Sequence, residues 1–186
     1  MIIAESYIFQ DWIANRGSFK GRTVMILFRC ASWVSRYLIF KIIFCWYLLI
    51  YKIVVGWFLN IEINPMAGIG RDFKLEYGFG SVINGDTNIG TNCTLRHLTT
   101  ISCKKLEDGY SGPSPVIGNN VDIGVNVNII GGVRIGNDVI IGAGAVVTKD
   151  VESHCVIGGN PASILKMLYK FPIHSDLTEG SKLEKI

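Results

Sequence analysis

The sequence predicts a mainly β chain: a left-handed parallel β-helix of about four coils, with a helical segment before it and one loop excursion at 102–115. Three observations carry this. Aliphatic residues recur every six positions from residue 63 onward. Glycine and small residues stand at fixed offsets from them. Residues 1–60 are apolar and basic and lack the repeat.

The 186 residues are 49% hydrophobic and 18% charged, with 21 glycines, 5 prolines and a formal net charge of +3. High apolar content and low net charge exclude disorder over most of the chain. Few prolines and no three-residue glycine period exclude a collagen-like chain. The length suits one main domain. Residues 1–60 hold seven Lys/Arg and two Asp/Glu, and residues 61–186 hold eleven and thirteen. The basicity therefore belongs to the first third, which points to a surface there and not to a nucleic-acid-binding domain. The five cysteines (Cys30, Cys45, Cys93, Cys103 and Cys155) are odd in number and have no CxxC spacing. Neither a disulfide framework nor a metal site is expected, and a reducing, cytoplasmic compartment is. The opening residues, MIIAESYIFQDW, lack the basic n-region and cleavage site of a secretory signal.

The first element is helical. Residues 23–59 read TVMILFRCASWVSRYLIFKIIFCWYLLIYKIVVGWFL, and two helices are expected, roughly 22–36 and 38–58. The longest uncharged run, Ile42 to Tyr51, is ten residues, between Lys41 and Lys52. A span needs about 20 apolar residues, although lysines near an interface can snorkel. Three readings stand: a helix packed on its own trimer, a monotopic helix on anionic lipid, or a span.

The coils follow. The repeating positions are Ile63, Ile69, Leu75, then Ile83, Ile89, Leu95, Ile101, then Ile117, Ile123, Ile129, Ile135, Ile141 and Val147. With Ile, Leu and Val about 30% of the chain, thirteen matches by chance are on the order of one in ten million before allowing for choice of register, which marks a repeat. Glycine follows at Gly70, Gly90, Gly118, Gly124, Gly136 and Gly142, and small or β-branched residues stand four further on, as at Cys93, Thr99, Val127 and Val139. Each hexad reads as one short strand and a turn. Three hexads make a triangular coil, and coils stack about 4.8 Å apart. Aliphatics fill the prism, and Gly and Asn take the left-handed corners. The period breaks twice, by two extra residues after Leu75 and by about ten in SCKKLEDGYSGPSP. The expected division is 1–60 helical segment, 61–164 β-helix and 165–186 tail.

Register also predicts a site. Leu75, Leu95, Ile123 and Ile141 share one face, so Tyr77, His97, Val125 and Ala143 form a column beside it. Of the three histidines, only His97 lies in the coils, whereas His154 and His174 fall in the tail as surface residues. Histidine is the side chain most used as a base near neutral pH. His97 is thus a candidate general base, with a role-free corner histidine as the other reading. Glu62 or Asp86 would hold its tautomer.

These residues resemble a family. The hexapeptide repeat, and the ending IGAGAVVTKDVESHCVIGGNPASI from Ile141 to Ile164, resemble the left-handed β-helix acetyltransferases that use acetyl-CoA. The stretch from Asn60, NIEINPMAGIGRDFKLEYGFGSVINGDTNIG, is similar to the serine acetyltransferase branch. TLRH, Thr94–His97, together with the brief helical lead-in, resembles the short colanic-acid or capsule type of polysaccharide O-acetyltransferase.

The likeness implies a homotrimer, with acetyl-CoA lying in the groove between two prisms. It implies cofactor contacts at Cys103, Gly124, Val125, Gly142, Ala143, Lys149 and Pro161. It puts Tyr77 where serine acetyltransferases carry their catalytic histidine, Glu62 on their orienting aspartate, and Asn64 and Ser114 on two further histidines. The catalytic set expected here is therefore His97, Glu62 and Tyr77, with no metal. The expected function is acetyl transfer to a sugar hydroxyl of a capsular or exopolysaccharide or its precursor, at the inner membrane face. The alternatives are serine O-acetylation, with Ile186 as the family's docking terminus, or an inactive assembly partner. A γ-type carbonic anhydrase would need three histidines on zinc, and the coils hold one.

Overall fold

The computed structural model describes residues 7–106 and 109–168. Helix α1, Phe19–Arg36, starts three residues earlier than expected because the Ser18 hydroxyl caps it, accepting from the Gly21 N–H at 3.0 Å. Its Val24, Met25, Phe28 and Ala31 face the core. The single helix expected over 38–58 is instead three pieces: α2 (Leu38–Ile43), α3 (Cys45–Tyr51) and a π-helical turn, Lys52–Phe58. Phe44, at φ −105° and ψ 26°, makes the first break. The wider π pitch lets the Leu59 N–H reach Val54 O and the Ile61 N–H reach Val55 O, both at 3.0 Å, delivering the chain into the prism. No helix among the described residues is long and apolar enough to cross a membrane, so the spanning reading is overturned for them.

From Glu62 the chain coils. The strands run β1 Glu62–Ile63, β2 Gly68–Ile69, β3 Lys74–Glu76, β4 Val82–Ile83, β5 Asn88–Ile89, β6 Thr94–Arg96, β7 Thr100–Ser102, β8 Val116–Ile117, β9 Asp122–Ile123, β10 Asn128–Ile130, β11 Arg134–Ile135, β12 Ile140–Ile141, β13 Val146–Val147, β14 Cys155–Gly158 and β15 Ser163–Met167. They form three parallel faces: β1-β4-β7-β10-β13, then β2-β5-β8-β11, then β3-β6-β9-β12-β14, with β15 added antiparallel. All thirteen aliphatic positions are buried, as is Cys93, a core residue whose thiol burial pushes up.

The prism is longer than the expected four coils. Val151 bridges to Ile135, and β14 pairs Ile157 with Ile141, which completes a fifth turn. A slip of the period after Val147 conceals that turn. His154, expected as a tail residue, stands on its corner in the left-handed conformation (φ 61°), above Asp72, Asn92, Asn120 and Asp138 in the same conformation. Its Nδ1 lies 3.3 Å from Asp138. The division expected at 164 falls inside β15, which stays on the fold to Met167. The rest of the expected tail, with His174 and Ile186, lies outside the described residues. Coil stacking is tight where glycine follows the aliphatic: a Cβ on Gly90 would lie 2.5 Å from the Gly118 carbonyl oxygen.

The helical segment closes the first coil, and side chains meet the open edge of all three faces. Tyr51 donates its hydroxyl to Ile63 O at 2.8 Å in β1. Arg29, 1% exposed, donates to Ile69 O and Gly70 O at 2.6 Å, next to β2. Asn15 donates to Phe73 O and accepts from the Leu75 N–H in β3. Asp11, equally buried, pairs with Arg29 at 2.7 Å and accepts from the Phe73 N–H at 2.9 Å. No pattern in the sequence marks this plug.

Candidate active site

The predicted column exists. Leu75, Leu95, Ile123 and Ile141 are in register, and Tyr77, His97, Val125 and Ala143 follow them at the edge where the third face turns into the first. The Asn126 N–H donates to His97 O at 3.0 Å and the Gly144 N–H to Val125 O at 2.8 Å, one coil apart each. The Tyr77 ring meets His97 edge to face, with centroids 6.0 Å apart and planes at 88°. Tyr77 is 70% exposed and His97 half-buried. His97 Nδ1 is buried and has no hydrogen-bond partner among the described residues.

Backbone strain collects here. At the rank after His97, other coils place Asn126 and Gly144 in the left-handed region, but the second coil places Leu98 there, at φ 59°. Tyr77 is at φ 65°. A bulky residue at positive φ is unfavourable and persists only where its surroundings enforce it. Two of them flank the candidate base. The two extra residues fall here: Gly78, Phe79 and Gly80 stand between Tyr77 and Ser81 where the next coil has Leu98 alone.

The acidic partners differ from expectation. Asp86 follows β4, at the edge where the first face turns into the second, so it is on a different corner from His97. Glu62 lies on the first face, and among the described residues no ion pair or hydrogen bond joins its carboxylate to His97. Ser81, fully buried, joins only the backbone around them. It accepts the Glu62 N–H through its carbonyl at 2.8 Å, and its hydroxyl donates to Arg96 O at 3.1 Å. Ser81 was overlooked, although it holds the small inward position of its hexad.

The expected cofactor residues divide between two edges. Gly124, Val125, Gly142 and Ala143 lie on the His97 edge, with Pro161 at its top in the β14–β15 turn. Cys103 and Lys149 lie at the opposite corner, where the loop leaves after β7. The loop is pinched into a small hairpin by a Lys105–Ser111 bridge. It stays on its own corner, where Lys104, Pro113, Gly131, Gly132 and Lys149 line a cleft of about 550 Å³. Within one chain it does not reach His97.

A charged ladder on the third face was also missed. Arg96 Nε lies 2.9 Å from Glu76, its Nη1 pairs with Asp122, and Lys74 Nζ lies 3.1 Å from Glu76. The positions flanking Leu75 and Leu95 point outward by alternation, so the same register could have found it. The Lys74 hydrogen bond above all holds the Glu76 carboxyl below the usual range; burial pushes the other way, and the Lys74 and Arg96 charges add to the lowering. A lowered folded value means the stabilisation is present above the ordinary carboxylate range and is lost as pH falls through the folded value. Glu76→Gln should be less stable than the parent at pH 7, by about 1 kcal/mol or less for so exposed a network. Urea unfolding should show the gap closing below about pH 4.

The repeat itself matches a known family model, Bacterial transferase hexapeptide (six repeats), over residues 114–149. The prism with its triangular coils is a parallel β-helix, and residues 114–149 of it are similar to that family's repeat. The relatives it resembles are serine acetyltransferases. Serine acetyltransferase 2 of Arabidopsis thaliana is 36% identical over 109 residues, which are 59% of this chain and 33% of that protein. Soybean serine acetyltransferase complexed with serine superposes with a TM-score of 0.74 at 26% identity, covering 87% of this chain and 69% of that one. A Brucella abortus serine acetyltransferase in complex with coenzyme A gives 0.73 at 22% identity, covering 88% and 68%, a likeness of fold. The chain spans 29% to 50% of the length of the sequence relatives it matches.

Proposed function

We propose that the chain is an acetyl-CoA-dependent O-acetyltransferase with His97 as general base. The observation that carries the reading is the His97 edge: an imidazole with a partnerless buried Nδ1, Tyr77 beside it, and the small Val125 and Ala143 above. His97 takes the proton of an acceptor hydroxyl as its oxygen attacks the acetyl carbonyl carbon. The carbon–sulfur bond then breaks, and the imidazolium returns the proton to the departing thiolate. No acyl-enzyme is needed. Tyr77 lines the acceptor side. The separation of the loop corner from the His97 edge supports a trimer in which one copy's loop and Lys149 face the neighbour's His97. Five free cysteines fit a reducing, cytoplasmic setting.

The acceptor named for the relatives is serine, so serine O-acetylation takes precedence over the polysaccharide reading. A saccharide hydroxyl is the second reading. It is favoured by one observation: Tyr77 stands exposed where the resemblance implies a histidine. Thiol release from acetyl-CoA, measured with L-serine against a panel of oligosaccharides, decides between them. Turnover with L-serine alone supports the first reading, turnover with a saccharide alone supports the second, and turnover with neither class removes both.

A further inference from the structure

We infer that the outer face of the α2–α3–π segment is a membrane-docking surface for an anionic bilayer. This inference is independent of the acetyl-transfer reading. The segment has two apolar stripes at helical spacing. One, with Tyr51 and Val55 buried and Leu48 partly so, packs on the prism core. The other, Ile39, Ile42, Trp46, Leu49, Ile53 and Trp57, points to solvent, with exposures from 40% to 82%. A helix that is apolar all round belongs in a core or against lipid, and this one has a core on one side only.

Charge selects the occupant. No acidic residue occurs between Asp11 and Glu62, while Arg16, Lys20, Arg22, Arg36, Lys41 and Lys52 do. Lys41 and Lys52 are exposed, have no ion pair among the described residues, and line the rim of a cleft of about 750 Å³ beside Trp57. A second copy docked by a two-fold axis would bring the same stripe and the same cations against each other, because such a contact repeats one surface. An anionic lipid surface offers hydrocarbon to the stripe and phosphate to the lysines. Trp46, Trp57 and the 82%-exposed Phe58 are the amphipathic and aromatic residues that sit at headgroup level. The stripe inserts shallowly and the segment lies in the plane of the interface, in keeping with the lack of a spanning helix among the described residues.

The test is flotation of the purified chain with phosphatidylcholine vesicles, with and without phosphatidylglycerol, at low and high salt. Binding should require phosphatidylglycerol and weaken with salt. K41Q/K52Q should reduce partition roughly tenfold or more, and I42E/W46E should abolish it, while circular dichroism and the melting temperature stay near the parent's. All four side chains are exposed, so the fold should survive. Absence of parent binding to anionic vesicles at low salt overturns the inference. So does binding that neither variant changes. Sedimentation supplies the other adverse outcome: if I42E/W46E splits an oligomer and leaves vesicle binding intact, the stripe is a contact between copies.

Discussion

Replacing His97 by alanine is expected to lower acetyl transfer by roughly two to four orders of magnitude, the usual contribution of a positioned general base. The loss should appear in kcat, because the imidazole acts on the proton in flight and does not hold the thioester. His97 is half-buried at a corner, and the aliphatic column below it is untouched by the change, so the coils should remain intact by circular dichroism. Tyr77→Phe is the companion. It keeps the edge-to-face ring contact with His97 and removes only the phenol, so it should affect KM for the acceptor more than kcat. A His97→Ala protein that retains a near-parental rate would remove the imidazole from the chemistry and leave the edge as a binding groove.

Asp11→Ala should be the most destabilising single change outside the aliphatic column. Asp11 and Arg29 are 2% and 1% exposed. Deleting the carboxylate leaves a guanidinium buried without its counter-charge and strips the Phe73 N–H of its acceptor. Breaking a buried pair on one side typically costs about 3–5 kcal/mol, which for a chain of this size lowers the melting temperature on the order of 10 °C. Asp11→Asn should recover part of the loss, since its carbonyl oxygen can still accept from Phe73. Thermal unfolding of the three proteins checks the order parent, Asn, Ala. If Ala melts with the parent, the plug is not what secures the first coil.

The coils were legible because a solenoid has to repeat its interior, and a repeated interior leaves a period in the chain. Ile63 to Val147 followed from spacing alone, and so did the column of Tyr77, His97, Val125 and Ala143, because strand register propagates from coil to coil. Features that no neighbour repeats were not legible. Arg29 and Asp11 lie eighteen positions apart in no shared pattern, and only the fold makes them partners. The split of the second helix depends on where Tyr51 and Val55 meet the prism, a tertiary demand that local propensity does not record. The fifth coil was concealed by the slip after Val147, which moved His154 from a tail to a corner. The loop's composition marked irregular backbone, but the corner it occupies follows from its exit after β7, and that separated Lys149 and Cys103 from His97. The acceptor is the least legible of all. Similarity favours serine, while Tyr77, Asn64 and Ser114 all stand where the resemblance implies histidines.

The plugged first coil has a further consequence. A stack of parallel strands exposes, at either end, the same edge it uses internally, and that edge accepts another stack as readily as another coil. Uncapped prisms of this kind can join head to tail without limit, since a translation along the axis never closes on itself. In this chain Tyr51, Arg29, Asn15 and Asp11 occupy the lower edge, and the antiparallel β15 turns the polarity of the third face at the upper end. The helical segment therefore closes one end: it keeps prisms from stacking on the first coil into an endless fibre.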